Sequence, residues 1–254
     1  MASRRLSSQA RAPFRACGAT DPGCVRNDNE DAFAIAGDLL VVSDGVGGAQ
    51  AGATASKVVV DALPRAWDAA PSSRRRSRRD LLRDTVAELN RQIHDQTAGR
   101  HDLAGMGATL VAVTIGPRSA ALAHMGDSRA YLWRAGELKR LTEDHSVVAL
   151  LVQRGDIRED EAKTHPARHT LTRFMGMPGG IQPDVATLSW KRGDRLLLCT
   201  DGLTDMLADE EIANVLRDPS DPASVCAELI GRAKQAGGRD NITVVIADWC
   251  ISRS

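Results

Sequence analysis

The residues best suited to chemistry are acidic and stand where β-prone runs begin or stop. Glu30-Asp31 leads into Phe33 to Ile35, Asp44-Gly45 closes Leu39 to Ser43, and Asp127 follows Ala120 to Met125. Asp201-Gly202 ends Arg195 to Thr200, and Asp240-Asn241 precedes Ile242 to Trp249. A carboxylate at the end of a buried strand is held on a rigid support, and several such ends can converge on one point. Uncompensated, such a cluster repels itself, so convergence implies bound cations. The candidate donors are all oxygens with no His or Cys beside them, which favours hard Mg²⁺ or Mn²⁺ over zinc. Glycine after Asp44 and after Asp201 lets the backbone turn tightly and a carbonyl approach a metal.

Taken singly, each Asp-Gly is also a common turn. Other metal and phosphate patterns fail. Asn27 to Asp31 starts like an EF-hand loop but lacks the glycine at the sixth position and the glutamate at the twelfth. Gly45-Val46-Gly47-Gly48 follows a strand and precedes a helix, yet it fits neither G-x-G-x-x-G nor a P-loop.

The elements that must position these carboxylates are mixed. Small and apolar residues recur with helical spacing from about Ala49 to Trp67, where Pro64 is expected to end or bend the helix. Leu82, Val86, Leu89 and Ile93 mark one face of a second helix. Between the two, the Arg74 to Arg79 run reads as a solvated loop. Thr109 to Ile115, Ala120 to Met125, Arg129 to Arg134 and Leu138 to Leu141 predict an antiparallel meander. Residues 144–180 carry a short amphipathic helix (Val147, Val148, Leu151), then prolines and a Gly179-Gly180 pair, and predict a partly irregular surface excursion. A helix with Val225, Leu229 and Ala233, capped by Ser220 or Asp221, precedes the last strand. Paired helices between groups of strands suggest two antiparallel sheets packed together with helices outside.

The chain has 254 residues with 33 basic and 33 acidic side chains, so it lacks the basic excess of a dedicated nucleic-acid binder. Cys17, Cys24, Cys199, Cys226 and Cys250 form no C-x-x-C pair, which argues against a disulfide framework or zinc knuckle and for a reducing cytoplasm. No apolar run approaches the roughly 18–20 residues that cross a bilayer, so no membrane insertion is expected. Arg4, Arg5, Arg11 and Arg15 come without an apolar segment, which excludes a secretory signal and predicts a flexible basic tail over residues 1–13.

Six segments in order carry a resemblance: Val25 to Asp31, Ser43 to Gly48, Gly105 to Leu110, Gly126 to Tyr131, Cys199 to Leu203 and Gly238 to Asn241. Together they resemble the metal-dependent, or type 2C, serine/threonine protein phosphatases, above all the bacterial members. The resemblance spans about residues 14 to 249 and implies an α+β fold, a four-layer α-β-β-α sandwich with a bimetal cleft at one end, within a catalytic domain over residues 14–254. It implies that Asp44 bridges two Mn²⁺ or Mg²⁺ ions, that Asp201 and Asp240 complete one of them, and that the Gly45 carbonyl binds the other. Glu30 and Asp31 match acidic residues that ligate or hydrogen-bond metal-bound water, and Arg26 matches an arginine that grips the substrate phosphate. Asp127 with Asp201 matches the ligands of a third, weaker ion, and residues 146–180 match a mobile flap.

The implied function is hydrolysis of phosphoserine and phosphothreonine in protein substrates, opposing a cognate bacterial Ser/Thr kinase, by a cytoplasmic monomer. Two cations can acidify a water and orient it for in-line attack, and the Arg26 fork matches two phosphate oxygens. Val46 departs from the histidine that many eukaryotic members carry there, leaving the leaving-group acid unassigned. His124, His145, His165 and His169 are expected in hydrogen-bonding or surface roles; His169 stands at a flap position that approaches the third metal in relatives. A pseudophosphatase serving as a binding module is the alternative, as is an unrelated Mg²⁺ enzyme acting on nucleotides or small phosphates.

Overall fold

The computed structural model describes residues 14–47, 49–71, 76–98, 106–117 and 119–249. The expected basic tail and Arg74-Arg75 lie outside these. Continuous apolar runs such as Leu39 to Val42 cannot be half-exposed strands; both faces of the strand must be covered. That is what the chain builds. Leu39 and Val41 join Val59, Leu63, Leu82, Val86 and Leu89 in one core, whereas Leu40 and Val42 join Leu132, Leu196, Leu198 and Val245 in another. A third core sets Leu197, Val244 and Ile246 against Ile212, Val225 and Leu229. Three apolar seams between four layers make the α-β-β-α sandwich.

In one sheet the order is β1 (Phe14–Asp21), β11 (Ile242–Trp249), β10 (Arg195–Cys199), β7 (Arg129–Arg134), β8 (Glu137–Arg140). The other runs β2 (Asp31–Ala36), β3 (Leu39–Val46), β5 (Leu110–Ile115), β6 (Ser119–Met125), β9 (Asp184–Ser189), with the short β4 (Gly107–Ala108) also on β3. All pairings are antiparallel. Helices α1 (Ala49–Ala69) and α2 (Arg78–Thr97) cover the second sheet; α5 (Asp201–Thr204), α6 (Asp209–Leu216) and α7 (Pro222–Gln235) cover the first. Between β8 and β9 run α3 (Val147–Arg154), α4 (Glu159–Ala162) and irregular backbone, as the proline and glycine content predicts.

Three expectations are corrected. The meander is split: β5 and β6 belong to one sheet, β7 and β8 to the other, because the chain crosses between sheets at Gly126 to Ser128. Of the two outcomes expected at Pro64 the helix end is excluded, since α1 continues to Ala69. Trp67, packed against the core, donates its indole N–H to Asp38 Oδ1 (3.0 Å) and so holds the turn beyond the proline. Arg78 and Arg79 form the first turn of α2 rather than a loop, behind the N-cap Ser77, whose hydroxyl accepts from the Asp80 N–H. Arg78 is tied to Asp38 and Thr114. The unanticipated strands β1 and β9 are both sheet edges, where half-exposed residues dilute the apolar signal.

Candidate metal centre

The carboxylates arrive from both sheets. Asp31 and Asp44 are register partners on β2 and β3, while Asp201 stands just past β10 and Asp240 just before β11. Asp127 sits in the turn where the chain passes from one sheet to the other. Backbone and hydroxyl contacts fix each support. The Asp44 N–H donates to Thr109 Oγ1 and its carbonyl accepts from the Thr109 N–H (both 2.8 Å). The Thr200 hydroxyl donates to Asp31 Oδ2 (2.8 Å) while accepting from the Thr243 N–H (3.0 Å), joining the two sheets beneath the cluster. Asn241 accepts from the Glu30 N–H (2.8 Å) and donates to the carbonyls of Asp28 (2.9 Å) and Pro22 (3.1 Å), clamping the 22–30 loop beside Asp240.

Two glycines permit the close approach. A Cβ on Gly45 would lie 2.0 Å from the Gly52 carbonyl oxygen, so β3 abuts the start of α1. A Cβ on Gly202 would lie 1.9 Å from the Asn241 carbonyl oxygen, so the Asp201 and Asp240 segments touch through backbone alone.

Charge makes the convergence visible. Burial, then the neighbouring charges of Asp31, Asp201, Asp127 and Asp240, push the Asp44 carboxyl far above the ordinary range. Burial, then Asp127, Asp205, Asp240 and Asp31, do the same to Asp201. Burial lifts Asp31 to about 6, against the hydrogen bonds it accepts, and lifts Asp127 to about 7, with Asp144 adding to it. Asp31 Oδ1 is buried and has no protein partner. Acceptor oxygens crowded together without donors destabilise one another. The carboxylate oxygens therefore fit hard divalent cations, although His169 corrects the expectation that no His stands beside them.

The remaining expected residues lie at the rim. Arg26 is half-exposed and donates through Nη2 to Asp240 Oδ2 (2.7 Å). Glu30, raised by burial and lowered by Arg26, lies against Gly52. His169 Nδ1 stands 3.8 Å from Asp201 Oδ2. It forms with Asp201 and Asp205 a trio whose ligand atoms all lie within 4.8 Å of one another. Sequence reasoning missed Asp205. Its signal is the i, i+4 spacing from Asp201, which sets both on one face of a helical turn. Thr109, Thr200 and Asn241 were missed as supports because hydroxyls and amides are common in any turn. His165 fills a local role, accepting from the Ala167 N–H (3.1 Å).

The family model described as Protein phosphatase 2C matches residues 25–242. The chain belongs to the protein phosphatase 2C family. It is 35% identical over 235 residues to the serine/threonine phosphatase stp of Listeria monocytogenes, covering 90% of this chain and 93% of that protein. It is 39% identical over 232 residues to the serine/threonine protein phosphatase PstP of Mycobacterium tuberculosis, covering 90% of this chain and 44% of that one. A crystal structure of the PstP catalytic domain in complex with two manganese ions superposes with a TM-score of 0.84 at 36% identity, covering 94% of this chain and 99% of that chain. Its four-layer architecture is thus that of this phosphatase family.

Proposed function

We propose that the carboxylate cluster is the hydrolytic centre of a serine/threonine protein phosphatase that cleaves phosphoserine and phosphothreonine monoesters in proteins. The observation that carries this is the convergence of Asp44, Asp201 and Asp240 from two sheets in a chain of this family. Asp44, Asp201, Asp240 and the Gly45 carbonyl would hold two Mn²⁺ or Mg²⁺ ions, and Asp127 with Asp201 an outer third. When bound, the ions supply Lewis-acid chemistry, acidifying water and neutralising charge on the phosphoryl group.

The chain's own residues do the rest. Arg26 offers a planar fork of which one nitrogen holds Asp240, leaving other N–H groups for phosphoryl oxygens. The Thr200 hydroxyl keeps Asp31 in place beneath Asp44, and Asn241 holds Glu30 beside Asp240. Position 46 carries no proton donor, since it is valine.

The wider setting is part of the same proposal: a monomer in the cytoplasm, reversing a cognate Ser/Thr kinase. Among the described residues no helix is long and apolar enough to cross a membrane. Cys17, Cys24, Cys199 and Cys226 are free thiols, which suits a reducing compartment. Among the described residues the exposed large apolar side chains, Val25 in the turn after β1, Ile35 on β2 and Leu150 on α3, stand apart and make no docking patch by themselves.

Asp44→Asn, Asp201→Asn and Asp240→Asn are each expected to lower Mn²⁺-dependent hydrolysis of a phosphothreonine peptide by orders of magnitude, with the fold retained by circular dichroism. A fully active Asp201→Asn protein would overturn the assignment. Faster hydrolysis of nucleoside monophosphates than of the peptide would redirect it to small phosphates.

A further inference from the structure

His145 takes no part in the proposed hydrolysis, yet its backbone and its buried ring tie together two separate segments. Its backbone N–H donates to the Gly126 carbonyl (2.8 Å), and its ring Nδ1 accepts from the Gly126 N–H (3.1 Å). Both polar backbone groups of the residue before Asp127 are thereby held by one histidine. Its carbonyl accepts from the Thr172 N–H (2.8 Å), and the next residue pairs with Leu171 in a β-bridge. The same residue thus closes the neck of the 146–180 excursion.

The ring's chemistry is determined by its partners. A backbone N–H can only donate, so Nδ1 must present a lone pair and the proton must sit on Nε2. Nε2 lies 3.0 Å from Asp184 Oδ2, a carboxylate that accepts that proton's hydrogen bond and keeps the tautomer. Asp184 is itself held by Arg173, from the far side of the excursion. The His124 ring stacks on His145 with centroids 4.5 Å apart, fixing the ring plane from below. Burial holds both imidazoles below their ordinary range, so the lone pair persists at neutral pH beside Asp144, Asp184 and Arg173.

We propose that His145 is a positioning residue that sets the Gly126-Asp127 turn in register with the neck of the 146–180 excursion, with Asp184 fixing its tautomer. It acts on the centre only through Asp127, and so rests on the reading that Asp127 serves that centre.

The experiment begins with the metal-free wild-type protein, where two-bond ¹⁵N–¹H spectra report the His145 tautomer directly. A proton on Nε2 is expected; a proton on Nδ1 overturns the proposal without any variant. Amide hydrogen exchange at Gly126 is then compared in His145→Leu, which has no acceptor, and His145→Asn, whose Oδ1 can reach the place of Nδ1. Loss of the bond is expected to speed exchange about tenfold in the leucine variant, and asparagine should restore protection. With Mn²⁺ present, kcat on a phosphothreonine peptide should fall about tenfold in His145→Leu at nearly unchanged KM, and recover in His145→Asn. Where His145→Leu does not fold, Asp184→Ala serves instead and should release the tautomer and the Gly126 amide together. Wild-type exchange and wild-type kcat in these variants would overturn the proposal. Asp44→Asn, run in parallel, separates the two readings: full activity there removes the hydrolytic centre, while the tautomer and exchange results continue to judge the latch.

Discussion

The most demanding test of the centre's geometry is a single added methyl group, Gly202→Ala. The new Cβ would lie 1.9 Å from the Asn241 carbonyl oxygen, against about 3.4 Å for the shortest ordinary contact, so the two segments must part by roughly 1.5 Å. Neither side yields easily. Gly202 follows directly on Asp201 at the end of the buried strand β10, and the Asn241 side chain is tied to Glu30, Asp28 and Pro22. The opening therefore falls between Asp201 and Asp240. A misplacement of about 1 Å at a reacting centre can lower turnover about a hundredfold, and overpacking of this kind costs about 1–3 kcal/mol of stability. In a chain of this size that is a fall in Tm of roughly 2–12 °C. The assay pairs kcat on p-nitrophenyl phosphate with calorimetric Mn²⁺ affinity and a thermal melt. Loss of both turnover and affinity in a folded protein is the expected result. An alanine variant with wild-type turnover and affinity would refute the argument that backbone contact between these segments sets the spacing of the ligands.

Acidity should erode the stability that bound metal adds. Burial raises Asp31 to about 6 and Asp127 to about 7, above the ordinary 3.8, so these two groups take up protons on folding between pH 4 and 7. These two carboxylates therefore stabilise the metal-free protein most at the acid end of that window, whereas the buried neutral His124 and His145, held below the ordinary imidazole range, act in the opposite direction. Metal ligands must be deprotonated, so Mn²⁺ affinity and the stability it adds should fall as pH drops. The gap between melts with excess Mn²⁺ and with chelator should therefore narrow from about pH 8 to pH 5.5; a gap independent of pH would contradict the carboxylate cluster. Arg26→Ala should raise KM and lower kcat in steady-state kinetics, and because its guanidinium also holds Asp240 (2.7 Å), calorimetry should show Mn²⁺ affinity falling about tenfold or more. Arg195→Met should cost about 3–5 kcal/mol in denaturant unfolding without touching the site. The buried guanidinium pairs with Asp248 through two nitrogens (2.7 and 2.9 Å) and donates to the carbonyls of Leu216, Asp218 and Ser220.

The sequence by itself determined the layer architecture and the carboxylates of the centre, Asp205 excepted. Runs such as Leu39 to Val42 and Leu196 to Leu198 are apolar at every position, which forces strands covered on both faces, and the period of Leu82, Val86, Leu89 and Ile93 forces a helix to cover one of them. Asp44, Asp127, Asp201 and Asp240 stood out because acids at strand termini are local in sequence. Their convergence was not local. It depends on the chain leaving one sheet for the other at Gly126 to Ser128, a crossing that looks in sequence like one more hairpin turn. The supports of the site were hidden for the same reason. Thr200 reaches Asp31 across 169 residues and Asn241 reaches Glu30 across 211, and no window of sequence contains both partners. His145 is the sharpest instance. Its type says only that it can donate and accept; which nitrogen does which was decided by the Gly126 amide on one side and Asp184 on the other, and only packing brings those two to the same ring.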